Sequence, residues 1–314
     1  MEISYFYLFT VIVKNISYKK PYYIFHKISF LCSSMSLFIT SLNSGSNGNC
    51  YYVGNNTEAI LVDAGISCRE IEKRMKRLGL KIENVKAVFI SHEHTDHING
   101  LPTLIKKYQI PVYITPLTMK HGGLIFEEKL IHTFVSHHPV IINGLSIIAF
   151  PKFHDASDPY SFVISCDGIC VGVFTDIGAP CRHVKKYFQR CHAAFLEANY
   201  DEEMLEKGGY PVYLKNRIRG GMGHLSNKQA LELFISYRPK FMNHLIMSHL
   251  SKNNNSPGLV QQLFDNNAGD VRIIIASRDH ETEVFHIDEK NAIKTIPVFK
   301  RKKQTALQLS FSFS

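Results

Sequence analysis

The sequence predicts a layered α/β fold in which mixed β-sheets are covered by helices. Short apolar strand patterns alternate with amphipathic helix patterns along most of the chain. Two of these strand patterns flank Asp167-Gly168, a strong signal for a β-hairpin. Antiparallel hairpins with interspersed helices favour mixed sheets, and 314 residues are enough to bury a large core.

The individual elements follow from local signals taken in chain order. A Gly-rich segment over 43–49 leads into a strand, and the next strand ends at Asp63. The predicted strands are 50–53, 58–62, 86–90, 111–114, 146–150, 161–166, 169–174, 193–196, 244–247, 271–276 and 284–287. The predicted helices are one that Ser67 caps and Gly79 ends, 100–108, 180–190, one that Ser226 caps and that runs to residue 237, and 259–267.

The two ends of the chain differ from its middle. Residues 1–34 contain nine aromatic side chains and no lasting periodicity, whereas Met35 opens a cleaner pattern. We therefore predict an N-terminal extension over 1–34, one folded domain over 35–290 and a basic C-terminal tail over 291–314. The extension fits either a start assigned upstream of Met35 or a packing or targeting segment.

Composition narrows the classes of function. The chain has 36 Lys and Arg against 27 Asp and Glu, and this net charge of +9 favours a polyanionic partner, although many basic proteins bind nothing acidic. Seven cysteines without a C-x-x-C pair argue against a disulfide scaffold and predict a cytoplasmic location. No apolar run approaches 18 residues, so no membrane-spanning helix is expected.

The most informative segment is Ser-His-Glu-His-Thr-Asp-His over 91–97, directly after the apolar strand 86–90. Imidazole and carboxylate ligands together suit zinc, manganese or iron. His92 and His94 are two residues apart, so extended or turn backbone points both to one side. Asp96 and His97 can then reach a second metal ion. The alternative is a surface loop that happens to be rich in histidine.

This H-x-H-x-D-H pattern after a buried strand resembles the metallo-β-lactamase superfamily. The resemblance implies an αβ/βα four-layer sandwich with a dinuclear metal site at one sheet edge. The chain offers, in order and after a predicted strand each, a residue for each further family position: Asp63, His154, Asp176 and His249.

The resemblance also implies a ligand set. His92, His94 and His154 would hold the first of two divalent metal ions (Zn, Mn or Fe), and Asp96, His97 and His249 the second. Asp176 would bridge both ions, and Asp63 would support the site. Two metal ions about 3.5–4 Å apart activate water and polarise a carbonyl or phosphoryl oxygen, so the implied reaction is hydrolysis.

Two further segments favour a phosphodiester substrate. Glu197-Ala-Asn-Tyr and Gly223-His-Leu-Ser resemble segments of the tRNA 3′-processing endonucleases of this fold. That likeness implies His224 as a proton donor and Glu197 as its orienting partner; simple packing at a helix start is the alternative for His224. Basic side chains at alternate positions would line one edge of a strand or loop and meet phosphates, unless they form a solvated loop: Lys215, Arg217 and Arg219.

A narrower resemblance is to the YycJ family, also called WalJ or VicX. The segments that carry it are 43–53, 153–162, 223–230 and 248–255, and the match spans about 35–287. The family implies a cytoplasmic metal-dependent nuclease, with 5′-to-3′ degradation of DNA and a link to mismatch repair. Gly45, Ser46 and Gly48 would present backbone N–H groups to a phosphate; a plain turn is the alternative.

The sequence thus predicts a dinuclear metal-dependent hydrolase of nucleic acid, most simply an exonuclease that acts on DNA from a 5′ end, with Asp96 essential to catalysis. One alternative is a small-molecule hydrolase of the same fold that cleaves a thioester, lactone or cyclic phosphodiester. Another is a regulatory binding protein with a vestigial site. His249 lies only 73 positions after Asp176, which leaves no space for the large extra domain that other DNA- and RNA-cutting members of the fold insert there. The substrate clamp is therefore expected from a loop over 207–223 or from a homodimer.

Overall fold

A computed structural model of the chain describes residues 36–289. The predicted extension over 1–34 and the predicted basic tail over 291–314 lie outside the described residues. None of the described helices is both long and apolar enough to cross a membrane.

The strands of the described chain form two seven-stranded sheets. They are β1 (Leu37–Asn43), β2 (Cys50–Gly54), β3 (Ala59–Val62), β4 (Val85–Phe89), β5 (Val112–Tyr113), β6 (Ile131–His132), β7 (Pro139–Ile142), β8 (Leu145–Pro151), β9 (Tyr160–Cys166), β10 (Ile169–Phe174), β11 (Ala193–Glu197), β12 (His244–Ser248), β13 (Arg272–Ile275) and β14 (Phe285–Ile287). The first sheet has the order β14-β1-β2-β3-β4-β5-β6, and the second β13-β12-β11-β10-β9-β8-β7.

The α-helices connect these strands. They are α1 (Cys68–Arg77), α2 (Thr95–Ile98), α3 (Leu101–Tyr108), α4 (Pro116–His121), α5 (Arg182–Phe188), α6 (Glu202–Lys207), α7 (Val212–Arg219), α8 (Asn227–Tyr237) and α9 (Pro257–Asp265). Two short 3-10 helices lie at Ile82–Asn84 and Glu128–Leu130.

Strand alternation explains how the layers stack. Along β2, Tyr51 and Val53 join a core shared by both sheets, whereas Cys50 and Tyr52 join a second core that α1 and α3 cover. The outer face of the second sheet packs in the same way under α5, α8 and α9. Both faces of each sheet are therefore buried, which confirms the predicted αβ/βα four-layer sandwich.

Sheet topology brings several strand ends to one edge of the molecule. β3 and β4 pair in parallel, as do β10, β11 and β12, so their carboxyl ends face the same way within each sheet. β8 runs antiparallel to β9, and β9 antiparallel to β10, so β8 also ends at that edge. The backbone N–H of Tyr160 donates to Ser91 O at 2.9 Å and ties the two sheets together there.

The region expected to be a loop over 207–223 is instead largely helical, since it contains the end of α6 and all of α7. Residues two positions apart lie on opposite sides of a helix, whereas in a strand they lie on the same side. Lys215, Arg217 and Arg219 therefore do not line a common edge, and that prediction was wrong.

Candidate metal centre

The histidine-rich turn after β4 is held by backbone hydrogen bonds on both sides. His97 N donates to His94 O, and Ala64 N donates to His97 O, both at 2.8 Å. Asn49 N donates to Asp96 O at 2.7 Å. A Cβ atom on Gly65 would lie 1.7 Å from Asp96 O, so this close approach requires glycine. The turn is thus fixed by the strand-end segments packed against it.

Asp63 sets the proton positions on the imidazoles of this turn. Its Oδ1 accepts from Ser91 N, and its Oδ2 accepts from Ser91 Oγ, both at 2.8 Å. Because the Ser91 hydroxyl donates to Asp63, it accepts from His92 Nδ1 at 2.9 Å. His97 Nδ1 donates to Asp63 Oδ2 at 2.7 Å. In their neutral forms, His92 and His97 therefore carry the lone pair on Nε2, as metal ligands require.

Three imidazoles form the first group of potential ligands. His92 Nε2 lies 3.1 Å, and His154 Nε2 3.3 Å, from His94 Nδ1. His154 enters from the end of β8, where its Nδ1 donates to Gly223 O at 3.0 Å. His92 and His154 are fully buried. The ligand atoms of these residues lie close enough to hold one ion.

A second group combines imidazoles with carboxylates. Asp96 Oδ2 lies 3.3 Å from His249 Nε2 and 3.5 Å from His97 Nε2. Asp176 Oδ2 lies 3.1 Å from His97 Nε2, and Asp176 also groups with His92. Asp176 therefore belongs to groupings with residues of both sets, as the family resemblance implies for a bridging ligand.

Both sheets present residues of the centre from strained backbone. Asp176, which follows β10, has a φ of 54°, and His249, which follows β12, has a φ of 56°. Asp63 at the end of β3 has a φ of 62°. Residues other than glycine rarely adopt this left-handed conformation, and it recurs at functional sites where surrounding structure holds the strain.

Opposite electrostatic environments surround the two groups. Burial lowers the pKa of His154 to about 4 and the pKa of His92 well below its usual value. Burial acts on His97 in the same direction, but the carboxylates of Asp176, Asp63 and Asp96 outweigh it and raise its pKa to about 10. The pKa of His249 is raised well above its usual value by the same balance, with Asp176 as the main carboxylate.

These residues fit divalent metal ions. Asp176 Oδ2 is buried without a hydrogen-bond partner, which is costly unless something else pairs with it. A set of imidazoles and carboxylates at one edge is the donor set of zinc, manganese and iron sites.

Glu197 at the end of β11 organises the other side of the centre. Its Oε2 accepts from Ile177 N at 2.7 Å and from Leu225 N at 3.2 Å. Its Oε1 lies 2.8 Å from His224 Nδ1 and 3.1 Å from His249 Nδ1. Burial raises the pKa of Glu197, but the charge and hydrogen bond of His224 and the hydrogen bond of His249 together outweigh it and lower the pKa to about 2. The Glu197–His224 pair predicted from the sequence is thus present.

The Gly-rich loop lies against the same centre. Ser44 Oγ accepts from His249 N at 2.8 Å, and Asn49 Nδ2 donates to Asp96 Oδ2 at 3.0 Å. The amides expected to face a phosphate are used inside the loop, because Gly45 N donates to Asn49 Oδ1 and Gly48 N donates to Gly45 O. For those two glycines the structure therefore favours the plain turn, and phosphate binding by Ser46 stays a prediction.

The basic side chains of α7 are already engaged. Arg217 Nε donates to Asp155 Oδ2 at 2.5 Å, and Arg219 Nη1 donates to Glu206 Oε2 at 2.9 Å. Lys215 Nζ donates to the backbone carbonyl of Glu206. Arg217 thus faces the metal-centre segment that contains Asp155, whereas Lys215 and Arg219 face α6. Their contact with substrate stays a prediction.

Comparison with known proteins places this geometry in a family. Residues 44–158 match the metallo-β-lactamase superfamily. The exodeoxyribonuclease YycJ of Bacillus anthracis is 33% identical over 232 residues, which cover 72% of this chain and 87% of that protein. The chain belongs to the YycJ/WalJ family. The exodeoxyribonuclease WalJ of Streptococcus pneumoniae (strain D39) is 31% identical over 220 residues, covering 68% of this chain and 81% of that protein.

A solved structure supports the fold of this YycJ/WalJ family member. The metallo-β-lactamase fold protein YhfI from Bacillus subtilis has a TM-score of 0.63 at 14% identity, with 80% of this chain and 99% of that chain covered. The fold implies divalent metal ions, and the family membership makes this YycJ/WalJ protein a metal-dependent hydrolase.

Sequence reasoning missed several residues of the YycJ/WalJ site. Ser91 and Asn49 orient ligands, and Lys152 is buried beside the centre with its Nζ donating to Thr175 O at 2.7 Å. Burial lowers the pKa of Lys152, although neighbouring carboxylates, Asp176 above all, oppose that shift. Ser91 directly precedes the histidine motif and Lys152 lies two residues before His154, so adjacency to the ligands was the available signal.

Proposed function

We propose that the protein is a metal-dependent exonuclease that hydrolyses the phosphodiester bonds of DNA, starting at a 5′ end. The observation that carries the proposal is the Glu197–His224 pair, whose Oε1 and Nδ1 atoms lie 2.8 Å apart beside the metal centre. The names of the relatives from Bacillus anthracis and Streptococcus pneumoniae, both exodeoxyribonucleases, support DNA as substrate. They favour this activity over hydrolysis of a small thioester, lactone or cyclic phosphodiester.

The proposal includes two divalent metal ions, for which zinc, manganese and iron suit the donors. The residues for the first ion are His92, His94 and His154, those for the second are Asp96, His97 and His249, and Asp176 is placed between them. When bound, such ions lower the pKa of water and polarise a phosphoryl oxygen.

The role proposed for His224 is to protonate the leaving oxygen of the cleaved strand. Its Nδ1–H donates to Glu197, so its Nε2 is the atom left for substrate. The side chain of His224 is 16% exposed, whereas those of His154 and His249 are 0% and 4% exposed. His224 therefore has the access to solvent that a proton donor needs. Glu197 acts as its positioning residue, because the hydrogen bond from Nδ1 fixes the orientation of the imidazole ring.

Other parts of the proposal concern substrate contact and setting. Ser46 and the α7 side chains Lys215, Arg217 and Arg219 are proposed to contact phosphates after exchanging their present partners. A cytoplasmic location is proposed because all six described cysteines are free thiols. A homodimer is proposed as the means to hold a long strand, and size-exclusion chromatography with light scattering tests it.

A nuclease assay tests the function directly. DNA labelled at the 5′ or the 3′ end is incubated with the protein and Mn²⁺ or Zn²⁺, with EDTA and the Asp96→Ala variant as controls. We expect metal-dependent release of mononucleotides from the 5′ end that is absent in both controls. If two metal ions are bound but no DNA is degraded, while a small ester or thioester is hydrolysed, the nuclease proposal is wrong.

A further inference from the structure

α5 carries a cluster of positive charge next to the metal centre. The helix begins six residues after Asp176, and no Asp or Glu occurs between Asp176 and Glu197. Since α5 follows the carboxyl end of β10, its first turn lies at the edge where the metal centre is built, and the helix runs away from it over the outer face of the second sheet.

The exposed cations of α5 and its C-terminal extension form a stripe, defined as Arg182, Lys186 and Arg190. Arg182 and Lys186 are four positions apart in α5 and therefore lie on one face of the helix, about 6 Å apart along its axis, and Arg190 follows two residues after the helix end. Within residues 36–289, no member of the stripe has an acidic side chain within 4.0 Å. Lys186 and Arg190 instead lie over the ring of Tyr187, at 5.3 and 5.8 Å from its centroid.

The stripe therefore differs from α7, whose arginines are paired with Asp155 and Glu206. The positive charges of the stripe also act on neighbouring titratable groups. Burial and the charges of His137, Arg182 and Lys186 lower the pKa of His183. Cations without acidic partners keep their attraction for phosphate, because no ion pair has to be broken first.

An exposed aromatic side chain lies next to a potential metal ligand, on a segment that is hydrogen-bonded to the start of the α5 connection. Phe153 directly precedes the potential ligand His154 and is 51% exposed. Its backbone carbonyl accepts from Gly178 N at 2.6 Å, which joins it to the segment that leads into α5. The backbone of Met222, whose side chain is 49% exposed, also packs against Gly178. An exposed aromatic ring next to a polar site fits the flat face of a nucleobase.

We propose that a single strand of nucleic acid leaves the metal centre across Phe153, where a base stacks, and continues along the stripe, where its phosphates bind. The proposal rests on the proposed nuclease function and names the path of its substrate. Unpaired cations that follow a backbone, together with an aromatic ring for the bases, are the combination that binds single strands without regard to sequence.

Charge removal tests the stripe. Arg182→Gln, Lys186→Gln and Arg190→Gln are combined, and the matched control combines Lys73→Gln, Lys76→Gln and Lys106→Gln on α1 and α3, which removes the same charge from the other outer layer. Binding of a 20-nucleotide strand is measured by fluorescence anisotropy between 50 and 200 mM salt, alongside hydrolysis of bis(p-nitrophenyl) phosphate.

We expect the stripe variant to bind the strand more weakly and to lower the slope of log K against log salt by about 2, that is about 0.7 for each of three lost contacts. The control variant should match the unchanged protein, and all three should hydrolyse the small phosphodiester equally. An unchanged slope in the stripe variant overturns the proposal. If the unchanged protein binds the strand but degrades no nucleic acid, the nuclease function fails, and the anisotropy result still decides the path.

Phe153→Leu and Phe153→Tyr test the stacking step. Loss of one stacked base costs about 5- to 150-fold in affinity, so Phe153→Leu should bind the strand more weakly within that range, whereas Phe153→Tyr should retain affinity. DNA and RNA of one sequence should respond alike, since backbone charge and base faces are common to both. Equal affinity of the leucine variant, or a stripe effect confined to duplex DNA, contradicts a single-stranded path.

Discussion

The two sheets contribute to the metal centre in different ways. The first sheet supplies its potential ligands from one turn of six residues, His92 to His97, which backbone hydrogen bonds hold as a unit. The second sheet supplies one residue at the end of each of several strands, among them His154, Asp176 and His249. A contiguous turn is fixed locally, whereas separate strand ends are brought together only by the completed fold.

In each sheet's half of the metal centre, one buried carboxylate positions the other residues through its hydrogen bonds. Asp63 contacts Ser91 and His97, so its influence spreads along the turn. Glu197 contacts His224, His249 and two backbone amides that belong to separate segments. We therefore expect a change at Asp63 to disturb metal binding, and changes around Glu197 to disturb proton transfer while the turn of the first sheet stays intact.

The largest effect is expected within the turn itself. Asp96→Ala removes a carboxylate 3.3 Å from His249 Nε2, so one metal ion should be lost. Activity should fall by more than about 100-fold, the upper range for partners that only orient ligands. Glu93→Gln is the matched control, because Glu93 belongs to the same turn but accepts from Ser157 at 2.7 Å. Metal analysis with turnover assays measures both; full metal content and activity in Asp96→Ala would contradict the ligand assignment.

The second-largest effect on activity is expected from a residue that contacts the second sheet. His224→Gln should lower kcat by about 10²- to 10⁴-fold, the usual contribution of general acid–base catalysis, while both metal ions remain bound. KM should change little, since the role concerns the departing oxygen. His280→Gln, an exposed histidine far along the chain, is the control. An unchanged kcat would mean that His224 only packs at the start of α8 and does not take part in catalysis.

A smaller effect is expected from Asp63→Asn. The side-chain amide nitrogen introduced by this substitution would face Ser91 or His97 as a donor, so the tautomers that leave Nε2 free would no longer be favoured. Metal affinity should fall by about 10- to 100-fold, and added metal should restore activity. Asp270→Asn at an exposed site is the control. Metal titration followed by activity measures this; activity that stays low at saturating metal would mean that Asp63 acts in another way.

The difference between a contiguous turn and separate strand ends also explains how much of the metal centre the sequence predicted. The turn was recognisable because its histidines are close together in the sequence and follow an apolar strand. Asp63, Asp176 and His249 were assigned through family resemblance, because single residues after strands carry no local pattern. Their left-handed backbone follows from tertiary packing, which no propensity encodes.

Missed secondary structure has similar causes. β1 is buried on nearly every position and so shows no alternation, while β7 begins with Pro139, which is typical of a loop or an edge strand. α7 follows Gly-Gly-Tyr-Pro, a turn signal, and its alternate basic residues suggested an extended chain. Ion pairs such as Arg217–Asp155 join residues 62 positions apart, beyond the reach of any local pattern.

The smallest effect on activity is expected at the other end of a ligand-bearing strand. β12 begins at His244 and is followed by His249. Burial, assisted by the charge of Arg272, lowers the pKa of His244 from 6.5 to about 4. Between these pH values the unfolded chain binds a proton that the folded chain does not, so stability decreases as pH falls through this window, by about 3 kcal/mol in total.

His244→Gln should remove that part of the pH dependence, because glutamine does not titrate. The free energy of unfolding, measured by urea denaturation at pH 7 and pH 4.5, should differ less in this variant than in the unchanged protein, and less than in the control His138→Gln at an exposed site. Nuclease activity at pH 7 should be unchanged, since His244 lies at the amino end of the strand, away from the metal centre. Loss of activity without loss of stability would show that function is not confined to the carboxyl ends of these strands.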